Sequence, residues 1–287
     1  MPGRVTYILF FCPALGDYGI VCGIQEVTVY NDGAVLKPVG GKKGVHVKSH
    51  DKERVLDAVI FDLDGTLIDS IDIYFTILDV TFEKLKLPPV EKSLIIKAAK
   101  DGDFDWDLIL PGNDGEAKKT MIRRARQIIY EIYPEMFCKG LTLIPGAASV
   151  LNRLSRSNLK IAIVTSTPAE GMVHKFYPLK NADVDQLLEV IITGDDVENK
   201  KPCADPLIEC AKRLGVHPNR SVYVGDMGAD IRAGKAAGMR TVGVLTGFDD
   251  HVALKQESPD AIIPSIVNLP ETIASWHSGT GIDILIS

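Results

Sequence analysis

With 287 residues, 46% of them hydrophobic and 24% charged, the chain has the make-up of a globular protein large enough for one α/β domain plus an insertion or a small extra module. A net charge of −6 argues against nucleic acid as a partner, since backbone binders carry a basic excess; small anions can still bind locally. Five cysteines, Cys12, Cys22, Cys138, Cys203 and Cys210, are odd in number and form no Cys-x-x-Cys pair, so neither a disulfide framework nor a zinc site is expected, and the reading is reduced thiols in a cytoplasmic protein.

In chain order, the first apolar stretch is "VTYILFFCPALG" (5–16), interrupted by Pro13 and closed by Gly16 and Asp17. It is too short to cross a bilayer, so no membrane partner is expected. Because it follows Arg4 and has the length of a signal-peptide core, an export signal stands as the alternative to a cytoplasmic location. "EVTVYNDGAVLKPV" (26–39) sets Asn-Asp-Gly between two β-like runs, a hairpin signal, and "GGKKG" (40–44) reads as a loop. Residues 1–54 are expected to form a small N-terminal β-rich extension whose purpose cannot be read.

From residue 58 onward short apolar runs alternate with helical patterns. The runs at 58–62, 160–165, 189–193, 221–225, 240–245 and 261–263 are continuously apolar, which predicts strands buried on both faces and hence a parallel sheet. Helices are expected over 145–157, with Pro145 in the first turn, over 205–215, closed by Gly215, and over 229–238, closed by Gly238. The rhythm breaks once. Residues 69–144 carry helical patterns at 70–87, 91–100 and 116–133 but no strand signal, so an inserted helical cap is predicted there. The fold class is α/β: a Rossmann-like parallel sheet core (55–68 and 145–277) with that cap, the N-terminal extension and a C-terminal tail (278–287).

Ligands of an open α/β sheet bind at the carboxyl ends of its strands. The first core strand delivers Asp62 and Asp64, and the second Thr165 and Ser166. The loop after the third carries Lys200, Lys201 and Pro202; the fourth ends at Gly225-Asp226, with Asp230 one helical turn on. Residues two apart on an extended chain face the same side, so Asp62 and Asp64 are expected to point together, with Leu63 turned away. Four converging carboxylates require a cation among them, and oxygen ligands favour a hard ion such as Mg²⁺. Capping the next helix explains one strand-end carboxylate but not two; for Asp69 and Asp205 capping is the preferred reading.

"DLDGTLIDS", "IVTSTP", "KKPCADP" and "VYVGDMGADI", in this order and at these strand ends, resemble the four signature motifs of the haloacid dehalogenase superfamily, most closely its phosphoglycolate-phosphatase-like branch with a helical cap after the first strand. The resemblance covers about residues 55–275. It implies that Asp62 attacks phosphorus, that Asp64 acts as acid and then base, and that Thr165, Ser166 and Lys201 hold the phosphoryl oxygens. It also implies Mg²⁺ bound by Asp62, the backbone carbonyl of Asp64 and Asp226, with Asp230 as a further ligand or a partner of one, and Gly65 and Thr66 as loop contributors. The implied partner is a small phosphorylated metabolite.

Single residues separate this chain from relatives. Asp64 favours ester hydrolysis over carbon–halogen or carbon–phosphorus cleavage, and Gly225 stands where sugar-phosphate mutases typically carry Glu. Ala204 replaces the proline usual before Asp205. In the cap, Lys119, Arg123 and Arg126 share a helical face; a solvated basic face is the preferred reading, and contact of Arg123 and Arg126 with an anionic substrate tail is the functional one. "DGDFDWD" (101–107) lacks the glycine and glutamate of a calcium loop, and Phe104 and Trp106 are read instead as a lid over the site.

Overall fold

A computed structural model describes residues 5–10, 24–30, 33–37, 46–47, 56–99, 104–112 and 115–276. The chain divides into two compact units, Met1–Glu53 and Arg54–Ser287. In the first, β1 (Val5–Phe10), β2 (Ile24–Tyr30), β3 (Gly33–Lys37) and β4 (His46–Val47) pair antiparallel in sequence order. Tyr30 pairs with Gly33, which makes β2 and β3 the arms of the expected hairpin. Asn31 and Asp32, Cys12, Cys22, the 40–44 loop, residues 101–103 and the 278–287 tail lie outside the described residues.

The second unit is built on six parallel strands: β5 (Ala58–Phe61), β8 (Lys160–Val164), β9 (Leu188–Ile192), β10 (Ser221–Gly225), β11 (Arg240–Val244) and β12 (Ala261–Ile263). They lie side by side in the order β12-β11-β10-β5-β8-β9. Alternate side chains of the central strands feed opposite layers. Val59, Phe61, Ile161, Ile163, Val222 and Val224 pack with α5 (Ala147–Arg156) and α11 (Leu269–Ser275). Ala58, Ile60, Ala162, Val164 and Tyr223 pack with α8 (Asp205–Leu214) and α9 (Gly228–Ala236). Burial on both faces is why these runs carry no polar alternation.

Chain direction across the sheet positions the site. From β5 the chain moves outward through β8 to β9, then returns to the other side of β5 for β10, β11 and β12. The order therefore reverses between β5 and β10, and the crevice at their carboxyl ends is the topological switch point.

Between β5 and β8 the chain leaves the sheet. A two-stranded ribbon of β6 (Ile68–Asp69) and β7 (Thr142–Leu143) brackets α1 (Ile71–Lys84), α2 (Lys92–Ala98), α3 (Trp106–Ile109) and α4 (Glu116–Gly140). Two-residue strands leave no periodicity, which is why the sequence shows no strand there. These helices bury a core of their own, with Phe75, Leu78 and Phe82 of α1 against Ile95, Trp106, Ile109 and Ala125.

Several boundaries differ from expectation. Helix α4 runs on through Pro134 to Gly140, because tertiary packing outweighs one missing hydrogen bond. Helix α5 begins after Gly146, whose φ is +86°, so Pro145 precedes the helix instead of opening it. Asp69 is no cap: it is exposed on β6, and Ser70 precedes α1. Asp205 sits inside the first turn of α8 and accepts from Asn199 Nδ2 at 2.8 Å. The helices α6 (Ala169–Lys175), α7 (Tyr177–Asn181) and α10 (His251–Gln256), like α11, have no counterpart among the expected elements. Among the described residues no helix is long and apolar enough to cross a membrane.

Candidate active site

Residues 62–68 fold into a tight loop at the end of β5. Asp62 N still donates to Val224 O at 2.8 Å, so the first carboxylate is held by the sheet. Leu67 N and Ile68 N both donate to Leu63 O, at 2.9 and 3.0 Å, and Leu63 is fully buried. The leucine points into the core, and Asp62 and Asp64 both line the cavity above the sheet. Gly65 permits the turn, with φ +69° and no room for a side chain: a Cβ would lie 2.7 Å from Asp226 Oδ2.

The adjacent strand β10 delivers the second group. Asp226 is anchored by Phe248 N at 2.8 Å and Thr66 Oγ1 at 3.4 Å. Asp230, in the first turn of α9, accepts from Met227 N at 3.0 Å. Oxygens of Asp62, Asp226 and Asp230, all buried, lie within 4.8 Å of one another. Lys201 Nζ reaches Asp62 Oδ1 and Asp230 Oδ1, both at 2.6 Å, and Tyr223 Oη at 3.0 Å. Lys200 is exposed, so of the two adjacent lysines Lys201 is the one that faces the carboxylates. Thr165 and Ser166 line the same cavity, and Thr165 Oγ1 accepts from Thr167 N at 3.1 Å.

Three carboxylates around one ammonium leave an excess of negative charge in a buried place, and the acidities show it. Burial first, then the charges of Asp230 and Asp64, push the Asp62 carboxyl from the ordinary 3.8 up to about 7, against the pull of Lys201. Burial and the neighbouring Asp62 raise Asp226 well above the carboxylate range. For Lys201, burial works against the charge, but Asp230 and Asp62 outweigh it and hold the ammonium above its usual value. Such a cluster fits a hard divalent cation: the donors are all oxygens, they are close enough to share one ion, and a double positive charge would relieve their repulsion.

Over the carboxylates lies a cavity of about 330 Å³ whose upper wall comes from the cap: Tyr74, Leu78, Ile95, Phe104 and Tyr133. Phe104 thus faces the cavity, whereas Trp106 packs inside the cap, edge-on to Phe104 at 4.8 Å. Arg123 and Arg126 are not brought to the site. Arg123 is exposed and pairs with Glu116 on its own helix at 2.6 Å, and Arg126 borders an adjoining groove with Tyr130 and His174, on the other side of Tyr133 and Pro168.

One participant went unread in the sequence. Lys175 on α6 is buried and donates to Asp64 Oδ2 at 2.6 Å, to Thr167 Oγ1 at 2.8 Å and to Tyr74 Oη. It lies 111 positions from Asp64, and its neighbours match no motif; a lone lysine beside Met172, Val173 and Phe176 was the one available signal.

Comparison with known proteins gives the family. Residues 59–244 match the family model of the haloacid dehalogenase-like hydrolases. Phosphoglycolate phosphatase of Escherichia coli K12 is 32% identical over 239 residues, covering 77% of this chain and 93% of that protein; the phosphoglycolate phosphatase of Shigella boydii gives the same figures. The crystal structure of a predicted phosphoglycolate phosphatase from Haemophilus somnus superposes with a TM-score of 0.65 at 22% identity, over 76% of this chain and 97% of that one. The chain belongs to the haloacid dehalogenase-like hydrolase family, and it is an enzyme.

Proposed function

We propose that the protein is a Mg²⁺-dependent phosphoric monoester hydrolase that cleaves a small phosphorylated metabolite, of the phosphoglycolate or sugar-phosphate class, through an aspartyl phosphate on Asp62. The observation that carries this reading is the buried meeting of Asp62, Asp226, Asp230 and Lys201 at the floor of a cap-covered cavity. The named relatives support the substrate class.

In this mechanism Asp62 is the nucleophile, because the sheet fixes it at the cavity floor and Lys201 holds one of its oxygens. Asp64 protonates the departing oxygen and then takes a proton from water, so one hard displacement becomes two easier ones. Thr165, Ser166 and Lys201 supply donors for the phosphoryl oxygens. Asp62, Asp226 and Asp230, with the Asp64 carbonyl, are the residues that would hold Mg²⁺. When bound, the ion supplies charge neutralisation for the transferring group. The cap keeps bulk water from the reacting centre. Arg123 and Arg126 are not assigned to substrate. The core (55–68 and 145–277), the 69–144 cap and a cytoplasmic site of action belong to the same proposal.

Phosphate release from p-nitrophenyl phosphate with Mg²⁺ tests the reading, followed by a panel of phosphorylated metabolites. Turnover that requires Mg²⁺ and disappears in Asp62→Asn is expected. A wild type that folds and binds Mg²⁺ yet releases no phosphate from any of these compounds would refute it.

A further inference from the structure

Lys175 is only 1% exposed, and an ammonium so placed is costly unless its donors are met. They are met in full: three N–H groups face Asp64 Oδ2, Thr167 Oγ1 and Tyr74 Oη. Around them stand the rings of Tyr74, Phe137 and Tyr133, with centroids 5.0, 5.3 and 5.9 Å from Nζ, close enough for cation–π stabilisation. No donor and almost no surface remain for substrate, so Lys175 works on its neighbours.

Both contacts that matter land on one oxygen. Asp64 Oδ2 accepts from Lys175 and, at 3.2 Å, from Thr167 Oγ1, while Asp64 Oδ1 is buried and has no hydrogen-bond partner among the described residues. The partners also come from different parts of the fold: Asp64 from the loop after β5, Thr167 from the loop after β8, Tyr74 from α1, and Tyr133 and Phe137 from α4.

We propose that Lys175, set among the rings of Tyr74, Tyr133 and Phe137, is a positioning residue which, with Thr167, clamps Oδ2 of Asp64 and leaves Oδ1 as the oxygen that exchanges the proton. This rests on the phosphatase reading. The proton on Oδ1 passes to the leaving oxygen as the ester P–O bond breaks and the Asp62 O–P bond forms. Water returns a proton to Oδ1 when that acyl phosphate is hydrolysed.

A mispositioned acid harms poor leaving groups most, because good ones depart without a proton. The test is rapid-quench measurement of phosphoenzyme formation from p-nitrophenyl phosphate and from phenyl phosphate, which share a shape but differ in leaving ability, with Asp64→Asn as reference. Lys175→Met is expected to slow phenyl phosphate by about 10²-fold and p-nitrophenyl phosphate by less than about 5-fold. Lys175→Arg should recover part of the loss. Thr167→Val, which keeps the lysine, should show the same pattern more weakly and covers the case in which Lys175→Met does not fold. Equal losses on both substrates, or none, in the folded variants overturn the proposal while Asp62→Asn still abolishes turnover; a wild type inert toward both overturns the phosphatase reading with it.

Discussion

Gly247 carries no functional group, yet the site depends on it: a Cβ there would lie 1.8 Å from Asp226 Oδ2, a distance no non-bonded pair tolerates, so the carboxylate or the loop must move. Gly247→Ala is expected to lower Mg²⁺ affinity by about 10-fold or more, in proportion to a displacement worth on the order of 1–2 kcal/mol, as read by titration calorimetry. Tyr223 is the opposite case, a buried hydroxyl within 3.1 Å of Val164 O, Lys201 and Asp230. Tyr223→Phe leaves buried polar neighbours short of a partner and should cost about 1–3 kcal/mol in denaturant unfolding. Of these details the sequence showed Asp62, Asp64, Asp226 and Asp230, because each stands at a strand end or within a turn of it, and Lys201, through the Lys-Pro pair in the loop after the third core strand. It did not show Gly247 or Tyr223, whose importance lies in contacts between distant segments.

At the scale of elements, α8 and the cap offer tests that separate architecture from chemistry. Gly215 closes α8 at φ +67° with no atom near the position a Cβ would take, so Gly215→Ala isolates the left-handed backbone cost. The expected loss is about 1 kcal/mol in denaturant unfolding, with turnover unchanged. Phe82 is 3% exposed inside the cap's own cluster. Phe82→Ala should cost about 3–5 kcal/mol and, by loosening the wall that carries Tyr74, raise KM more than it lowers kcat; steady-state kinetics at several substrate concentrations will show the split. The cap helices α1, α2 and α4 were readable from their apolar spacing, α2 as part of a longer helical pattern at 91–100. The β6–β7 ribbon and the short helices α3 and α7 were not, because two to five residues hold too little of a period to register, and α6 offers only Met172 and Val173 as large apolar residues.

The whole molecule carries a charge imbalance that links folding, pH and metal. Asp62 titrates at about 7 in the folded chain against the ordinary 3.8. A folded carboxyl pKa raised in this way favours the protonated native state, so its contribution to stability is present below the unfolded value and is lost as pH rises through the folded one. The metal-free protein is therefore expected to lose Tm between about pH 4 and pH 7 on this account. Added Mg²⁺ should raise Tm far more above that window than below it, since protons and the ion compete for the same oxygens. Differential scanning fluorimetry across pH, with and without Mg²⁺, measures both effects, and a metal-induced shift independent of pH would contradict them. The proposed division of labour has its own test: residues 54–287 contain every residue assigned to the site, so that fragment should retain phosphate release.

The sequence by itself determined the parallel sheet, through runs apolar on both faces, and the positions of the strand-end carboxylates, through the two-residue period that sends Leu63 inward and Asp62 and Asp64 outward together. Both are local consequences of backbone geometry and burial, so they are written in consecutive residues. Only the tertiary structure decided that Lys175 meets Asp64 and that neither Arg123 nor Arg126 lines the cavity. Those are matters of which distant surfaces pack against each other, where a side chain's partner depends on helix length, crossing and the room left by glycine, and no spacing along the chain records them.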